Sequence, residues 1–112
     1  MIQLRAPERT ARQIERECAA LVRAVDLPVV VSSRCDIALA CGAAGVNLPE
    51  RDIAVADARR LLGERLVGRS VHSLDAAVAA ADDGVDYLIF GPIWASPTHP
   101  HTLFPYTLSL LR

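Results

Sequence analysis

The sequence predicts an α/β fold with about five parallel strands and intervening helices, in a sheet that does not close into a barrel. Short apolar runs typical of buried strands alternate with amphipathic stretches typical of helices, from residue 2 to residue 91. This alternation is the pattern of βα units, whose strands lie parallel. Five strands are too few to close an eight-stranded barrel. We therefore expect an open sheet.

Each predicted strand is a short apolar run with a polar residue near its carboxyl end. The five runs are residues 2–4, 27–31, 45–48, 66–71 and 87–91. The second run is continuous and β-branched, which favours a strand buried on both faces.

The segments between the strands carry apolar residues at helical spacing. They predict helices over residues 8–25, 36–40, 55–62 and 74–83, with Ser73 capping the last one. Gly42, Gly63 and Gly84 stand where each of the last three helices ends. The side chains expected to face the sheet are Ala11, Ile14, Cys18, Leu21, Val22, Ala58, Leu61, Leu62, Leu74, Ala77, Val78 and Ala81.

The tail differs from the rest of the chain. It contains Pro97, Pro100 and Pro105 and shows no further apolar strand. We therefore expect a βα domain over residues 1–99 and an unrelated tail over residues 100–112. Residues 2–4 and 87–90 would then be open sheet edges that favour self-association.

Composition excludes several classes of function. The net charge is −1, so no basic surface for nucleic acid is visible. No apolar run is long enough for a membrane span, and the amino terminus lacks a secretory pattern, so we expect a cytoplasmic protein. All basic side chains are arginines. Schiff-base chemistry and the lysine of a Walker-type phosphate loop are therefore excluded.

The three cysteines, Cys18, Cys35 and Cys41, match the spacing of neither a zinc site nor a disulfide framework. We expect them to be small buried apolar side chains.

Polar residues collect just after the predicted strands, where the loops of βα units form functional sites. They are Gln3, Arg5, Ser32, Ser33, Asn47, Glu50, Asp52, Ser70, His72, Ser96, Thr98 and His99. Hydroxyls, carboxylates, imidazoles and one forked cation together favour binding of a small phosphorylated molecule.

Several of these residues have a structural alternative. Arg5 binds phosphate or forms a surface ion pair with Glu8 or Glu50. Asp52 holds Mg²⁺ or favours the dipole of the helix that follows it. His72 acts as an acid, a base or a hydrogen-bond donor, or else it only positions its loop. His99 and His101, in a proline-rich tail, do not indicate a metal site.

Three segments carry a family resemblance. They are residues 2–5 (IQLR), residues 68–74 (GRSVHSL) and residues 86–93 (DYLIFGPI). With residues 34–39 and 42–46 between them, their order and spacing resemble those of the thiamine phosphate synthase / TenI family over residues 2–98.

The resemblance implies a partial TIM (β/α)8 barrel that acts in thiamine biosynthesis. The family's synthase joins hydroxymethylpyrimidine diphosphate to a thiazole phosphate and releases pyrophosphate. Mg²⁺ and cationic side chains stabilise that leaving group. The TenI branch includes thiazole tautomerases, which work by proton transfer.

The resemblance also implies roles for individual residues. Gln3 and Arg5 match the strand that reaches the diphosphate, and Ser70 matches a hydroxyl on the pyrophosphate side. Ser96 and Thr98 match the loop that binds the thiazole phosphate. Asp52 matches one of two metal carboxylates, and His72 follows Ser70 as in the family.

The sequence also departs from the family pattern. Pro7 and His99 replace two lysines, and Ser32-Ser33 replaces an Asn-Asp pair that carries the other metal carboxylate. Losing one such charge typically slows catalysis about a hundredfold or more. Pro92 stands where the tautomerase has a histidine.

These substitutions favour a truncated TenI-like member with a site for a thiazole phosphate, and His72 as its catalytic residue. The alternatives are an Mg²⁺-dependent synthase, in which Asp52 binds the metal, and a non-catalytic fragment that self-associates.

Overall fold

A computed structural model of the 112-residue chain describes residues 1–91 and the strand at residues 108–111. Strands and helices alternate along the chain, as the sequence predicts. The elements are β1 (Ile2–Leu4), α1 (Ala11–Ala24), β2 (Val29–Ser32), α2 (Cys35–Cys41), β3 (Gly45–Leu48), α3 (Val55–Leu62), β4 (Leu66–Val71), α4 (Leu74–Asp82), β5 (Tyr87–Phe90) and β6 (Leu108–Leu111).

The strands form one sheet in sequential order, β1-β2-β3-β4-β5-β6. The first five are parallel, and the sheet curls into an open half-barrel with helices between the strands. This confirms the predicted partial (β/α)8 barrel that is not closed. Because all five parallel strands run the same way, their carboxyl ends lie together at one end of the sheet.

The helices pack against one face of the sheet and bury most of the apolar core. Alternate strand residues point to this face, among them Val31, Val46 and Val67, which are almost fully buried. Ile14 and Cys18 of α1 join the same cluster. Burying a side chain of this size contributes about 1.5–3 kcal/mol, so this layer is a main source of stability.

Local signals fix the ends of the helices. Thr10 caps α1, because its side chain accepts a hydrogen bond from the Gln13 backbone N–H while the Gln13 side chain accepts one from Thr10 N–H. Ser73 caps α4 in the predicted way by accepting from Ala76 N–H. Gly42 ends α2 in the left-handed conformation, with a φ of 72°.

The predicted faces of α3 and α4 need correction. Leu61, Leu74 and Val78 were expected to face the sheet, yet they are 56%, 72% and 54% exposed. In α4 the residues that pack on the core are small ones, chiefly Ala80. An alanine-rich helix has little contrast between its faces, so apolar spacing alone selects the wrong side.

The tail prediction was also wrong in one respect. Leu108–Leu111 forms a strand that pairs antiparallel with β5, with Ile89 opposite Ser109. The β5 edge is therefore covered, whereas β1 pairs only with β2 among the described strands. A four-residue strand that follows a proline-rich stretch is too short to give a clear periodic signal. The division at residue 99 stays a prediction.

The cysteine prediction is corrected as well. Cys18 and Cys41 form a disulfide that joins α1 to α2, with a Cα–Cα distance of 6.1 Å. The two helices lie side by side, which sequence spacing does not reveal. Cys35 remains a buried free thiol, as expected. Within residues 1–91 and 108–111, no helix is long and apolar enough to cross a membrane.

Candidate functional site

The face of the sheet opposite the helices carries polar side chains near the carboxyl ends of the strands. Strand register places Ser32 of β2 beside Asn47 of β3, and Asn47 beside Gly68 of β4. Ser70 follows two residues after Gly68 and so points to the same face. Gln3 of β1 is paired with Val30 of β2, two residues before Ser32. The inner face of the half-barrel thus collects residues from four strands.

A cavity of about 290 Å³ opens at this end of the sheet. The residues that line it come from four strands and the loops that follow them. They are Gln3, Arg5, Ser32, Asn47, Pro49, Glu50, Ser70 and His72. Four of the seven residues predicted to form the site, Gln3, Arg5, Ser70 and His72, therefore line one cavity.

Asn47 lies deepest in the wall of this cavity and is only 1% exposed. Its Nδ2 donates a hydrogen bond of 2.9 Å to Ser70 Oγ, which fixes the orientation of the amide. Its Oδ1 is buried and has no hydrogen-bond partner in the described part of the chain. A buried acceptor without a partner is costly unless a ligand or water supplies a donor. Asn47 Oδ1 is therefore a buried acceptor in this wall that still lacks a donor among the described residues.

Tyr87 supports the cavity from the same face. Its ring lies so close to Gly68 that a Cβ atom on that residue would overlap the ring. The hydroxyl donates to Val46 O at 3.3 Å. Burial raises the pKa of Tyr87 well above its ordinary value, with a smaller contribution from Asp86. The phenol therefore stays neutral and remains a hydrogen-bond donor.

His72 lies at the mouth of the cavity and is exposed. Its Nδ1 is within hydrogen-bond distance of the Gly91 carbonyl oxygen. A carbonyl only accepts, so Nδ1 carries the proton and Nε2 is the basic nitrogen of the neutral ring. The His72 backbone N–H donates to Glu50 Oε1 at 3.3 Å. Both His72 and Glu50 were among the polar residues predicted to collect just after the strands.

Asp52 does not line this cavity. Its Oδ2 accepts a hydrogen bond from Ser33 Oγ, and its Oδ1 accepts from the Ile53 backbone N–H at 2.6 Å. Ser33 has a φ of 70°, the left-handed region that non-glycine residues rarely adopt. Asp52 therefore joins the loop after β2 to the loop after β3.

The described residues show no cage of protein ligands for a metal ion. They contain no group of three or more histidine, cysteine, aspartate or glutamate side chains placed to hold a metal ion. Asp52 is one carboxylate, and both of its oxygens already accept hydrogen bonds. Mg²⁺ is usually held by one or two carboxylates together with water and substrate phosphates, so Asp52 would share such an ion with a phosphorylated ligand.

Arg5 is exposed at the mouth and forms no ion pair with Glu8 or Glu50, the structural alternative considered for it. It also borders a second cavity of about 320 Å³ between the end of β1 and the start of α1. Arg9 and Arg34 line that cavity, but each is paired with an acid, Glu17 and Asp36 respectively. Of these three arginines, Arg5 is the one whose charge no described acid compensates.

The remaining predicted residues, Ser96 and Thr98, lie outside the described part of the chain, as do Pro92, His99 and His101. The sequence reasoning passed over one residue that shapes the site, Arg69. It lies on the face of β4 that packs against the helices, opposite the face that carries Ser70, so a search for polar residues around the cavity does not select it.

Comparison with known proteins shows which family the chain belongs to. The family model described as "Thiamine monophosphate synthase" matches residues 1–112. The chain belongs to that family. It is 41% identical over 115 residues to a thiamine-phosphate synthase of Chloroflexus aurantiacus, covering 100% of this chain and 53% of the relative. A Thermus thermophilus thiamine-phosphate synthase is 39% identical over 103 residues, covering 89% and 50%.

A solved structure of this family has the same fold. Thiamine phosphate pyrophosphorylase from Pyrococcus furiosus superposes with a TM-score of 0.78 at 31% identity, covering 88% of this chain and 50% of that one. The chain spans about half the length of the relatives it matches. The predicted resemblance to this family is confirmed.

Proposed function

We propose that the chain is a TenI-like member of its family whose cavity binds a phosphorylated thiazole. The observation that carries this proposal is the single cavity that Gln3, Arg5, Asn47, Ser70 and His72 line. Its volume of about 290 Å³ suits a small molecule, and one wall supplies a fixed amide and hydroxyl.

The charges indicate how such a ligand would lie. Arg5 offers an exposed guanidinium, which pairs well with the oxygens of a phosphate. On the buried side, Asn47 Oδ1 lacks a donor among the described residues, which a group of the ligand or a water bound with it would supply. The phosphate would therefore face the mouth, with the ring toward Asn47 and Ser70.

His72 is the proposed catalytic residue. With Nδ1 held by Gly91 O, the basic Nε2 is the nitrogen able to take up a proton. This chemistry suits a proton transfer on the thiazole and needs no diphosphate. Ser96 and Thr98 are proposed as further phosphate contacts on the basis of the family motif.

Calorimetric titration with thiazole phosphate tests the proposal. We expect saturable binding, and Arg5→Gln should weaken it at least tenfold because one charged hydrogen bond is lost. Arg60→Gln is the matched control, since Arg60 is exposed on α3 and bonds only Asp57 among the described residues. Equal effects of the two variants, or no binding by the wild type, would refute the proposal.

A second candidate is the Mg²⁺-dependent synthase, which the similarity to thiamine-phosphate synthases favours. Asp52 would be its metal carboxylate, with the metal arriving together with the diphosphate substrate. Supplying hydroxymethylpyrimidine diphosphate, thiazole phosphate and Mg²⁺ tests it. Thiamine phosphate made by the wild type and lost in Asp52→Asn would establish the synthase.

The third candidate is a chain that associates with itself through the edge of β1. A second copy of the chain would pair with the free side of β1, because β1 has a single partner in the described sheet. Sedimentation over a range of protein concentrations tests it, and a monomer at every concentration would exclude it. The cytoplasmic location and the absence of nucleic-acid partners stay predictions from the sequence.

A further inference from the structure

Arg69 is a charged residue in the interior of β4, on the face that packs against the helices. Its neighbours on that face, Val67 and Val71, are fully buried. Arg69 itself is partly buried, and its Nε is buried without a partner in the described part of the chain. Placing a guanidinium beside an apolar layer is unfavourable unless its donors are used.

The two terminal nitrogens of Arg69 donate hydrogen bonds to the same loop. Nη1 donates to Glu50 O at 3.2 Å, and Nη2 donates to Ile53 O. Both carbonyls belong to residues 49–54, the loop between β3 and α3. The planar guanidinium holds two points of this loop at once, which a flexible lysine does less well.

The loop held in this way forms part of the site. Pro49 and Glu50 line the cavity. Glu50 Oε1 accepts a hydrogen bond from His72 N–H, and Asp52 Oδ2 accepts one from Ser33 Oγ. We propose that Arg69 is a positioning residue, which fixes residues 49–54 so that Glu50 stays in the cavity wall beside His72. The effect on ligand affinity rests on the proposed function, whereas the effect on the loop does not.

Arg59 provides a matched control within the same fold. Its Nη1 donates to Arg65 O and its Nη2 to Gly84 O, each at 3.0 Å, and it pairs with Asp86 at 2.8 Å. It also bonds two backbone carbonyls, but these precede β4 and β5 and so lie at the end of the sheet opposite the cavity. Removing Arg59 therefore costs stability without touching residues 49–54.

The experiment compares Arg69→Gln, Arg69→Lys and Arg59→Gln in the full chain. Hydrogen exchange is followed at the Ile53 amide, which donates a hydrogen bond to Asp52 Oδ1 within the loop. Affinity for thiazole phosphate is measured on the same samples. We expect Arg69→Gln to speed exchange at Ile53 at least tenfold and to weaken binding at least fivefold, with partial rescue by Arg69→Lys. Arg59→Gln should lower the melting temperature but change neither quantity.

Unchanged exchange at Ile53 in Arg69→Gln would overturn the proposal. The proposal would also fail if Arg59→Gln speeded exchange at Ile53 as much as Arg69→Gln does. If Arg69→Gln does not fold, Arg69→Lys decides: exchange at Ile53 that is faster than in the wild type supports the proposal, and unchanged exchange overturns it. If the wild type does not bind thiazole phosphate, the proposed function fails, while exchange at Ile53 still decides the role of Arg69.

Discussion

Packing of Tyr87 against Gly68 gives a quantitative test of how the cavity is supported. The two residues are directly paired on β5 and β4. A Cβ atom on Gly68 would overlap the ring at Cε1, Cζ and Cε2, well inside the usual contact distance of about 3.5 Å. Tyr87 is 1% exposed and its hydroxyl bonds Val46 O. The substitution Gly68→Ala must therefore displace the ring or the strand.

The expected loss follows from two contributions. Overpacking a core typically costs about 1–3 kcal/mol, and losing the hydroxyl bond to Val46 costs about 1 kcal/mol more. Gly68→Ala should therefore lower the free energy of unfolding by about 2–4 kcal/mol, measured by urea denaturation. Tyr87→Phe, which removes only the hydroxyl bond, should lose about 1 kcal/mol.

A double-mutant cycle isolates the contact. Tyr87→Leu removes the ring that an alanine at position 68 would meet, so the two losses should not add. We expect Gly68→Ala with Tyr87→Leu to be at least about 1 kcal/mol more stable than the sum of the single changes implies. Additive losses, or a loss below about 0.5 kcal/mol for Gly68→Ala alone, would refute the reasoning.

Two further predictions concern the cysteines. Cys41→Ser should lower the free energy of unfolding by about 3 kcal/mol in oxidised samples, because the loop closed by Cys18 and Cys41 spans 23 residues. In reduced samples the loss should be much smaller. Equal losses in both would contradict a stabilising disulfide. Burial, with the charges of Asp52 and Asp36, raises the pKa of Cys35 above 9.0. The stability that the protonated thiol contributes is therefore present below pH 9.0 and lost as the pH rises through the raised value, and Cys35→Ala should reduce that alkaline loss of unfolding free energy.

The elements were predictable where local pattern and tertiary structure agree. The bounds of β3, α3 and β4 coincide with the apolar runs and glycine stops in the sequence. The faces of the helices were less predictable. Leu74 and Val78 have the spacing of a core stripe, yet the sheet packs against the small side of α4. Sequence spacing identifies an apolar stripe but not which of two stripes meets the sheet.

The site was predictable to the extent that it follows strand ends. Register in a parallel sheet brings Gln3, Ser70 and His72 to one edge, although they are far apart in sequence. Arg69 was not predictable in this way. Its role depends on hydrogen bonds to two backbone carbonyls of another loop. Every residue type has a backbone carbonyl, so the sequence does not show which carbonyls accept such bonds.

The most direct test of a single cavity for a phosphorylated ligand is an NMR titration of the wild-type chain with thiazole phosphate. We expect saturable shifts of the backbone amides of Gln3, Asn47, Ser70 and His72, and none at Gly84, at the opposite end of the sheet. Saturable shifts centred on Gly84, or no saturable shift at any amide, would contradict the account.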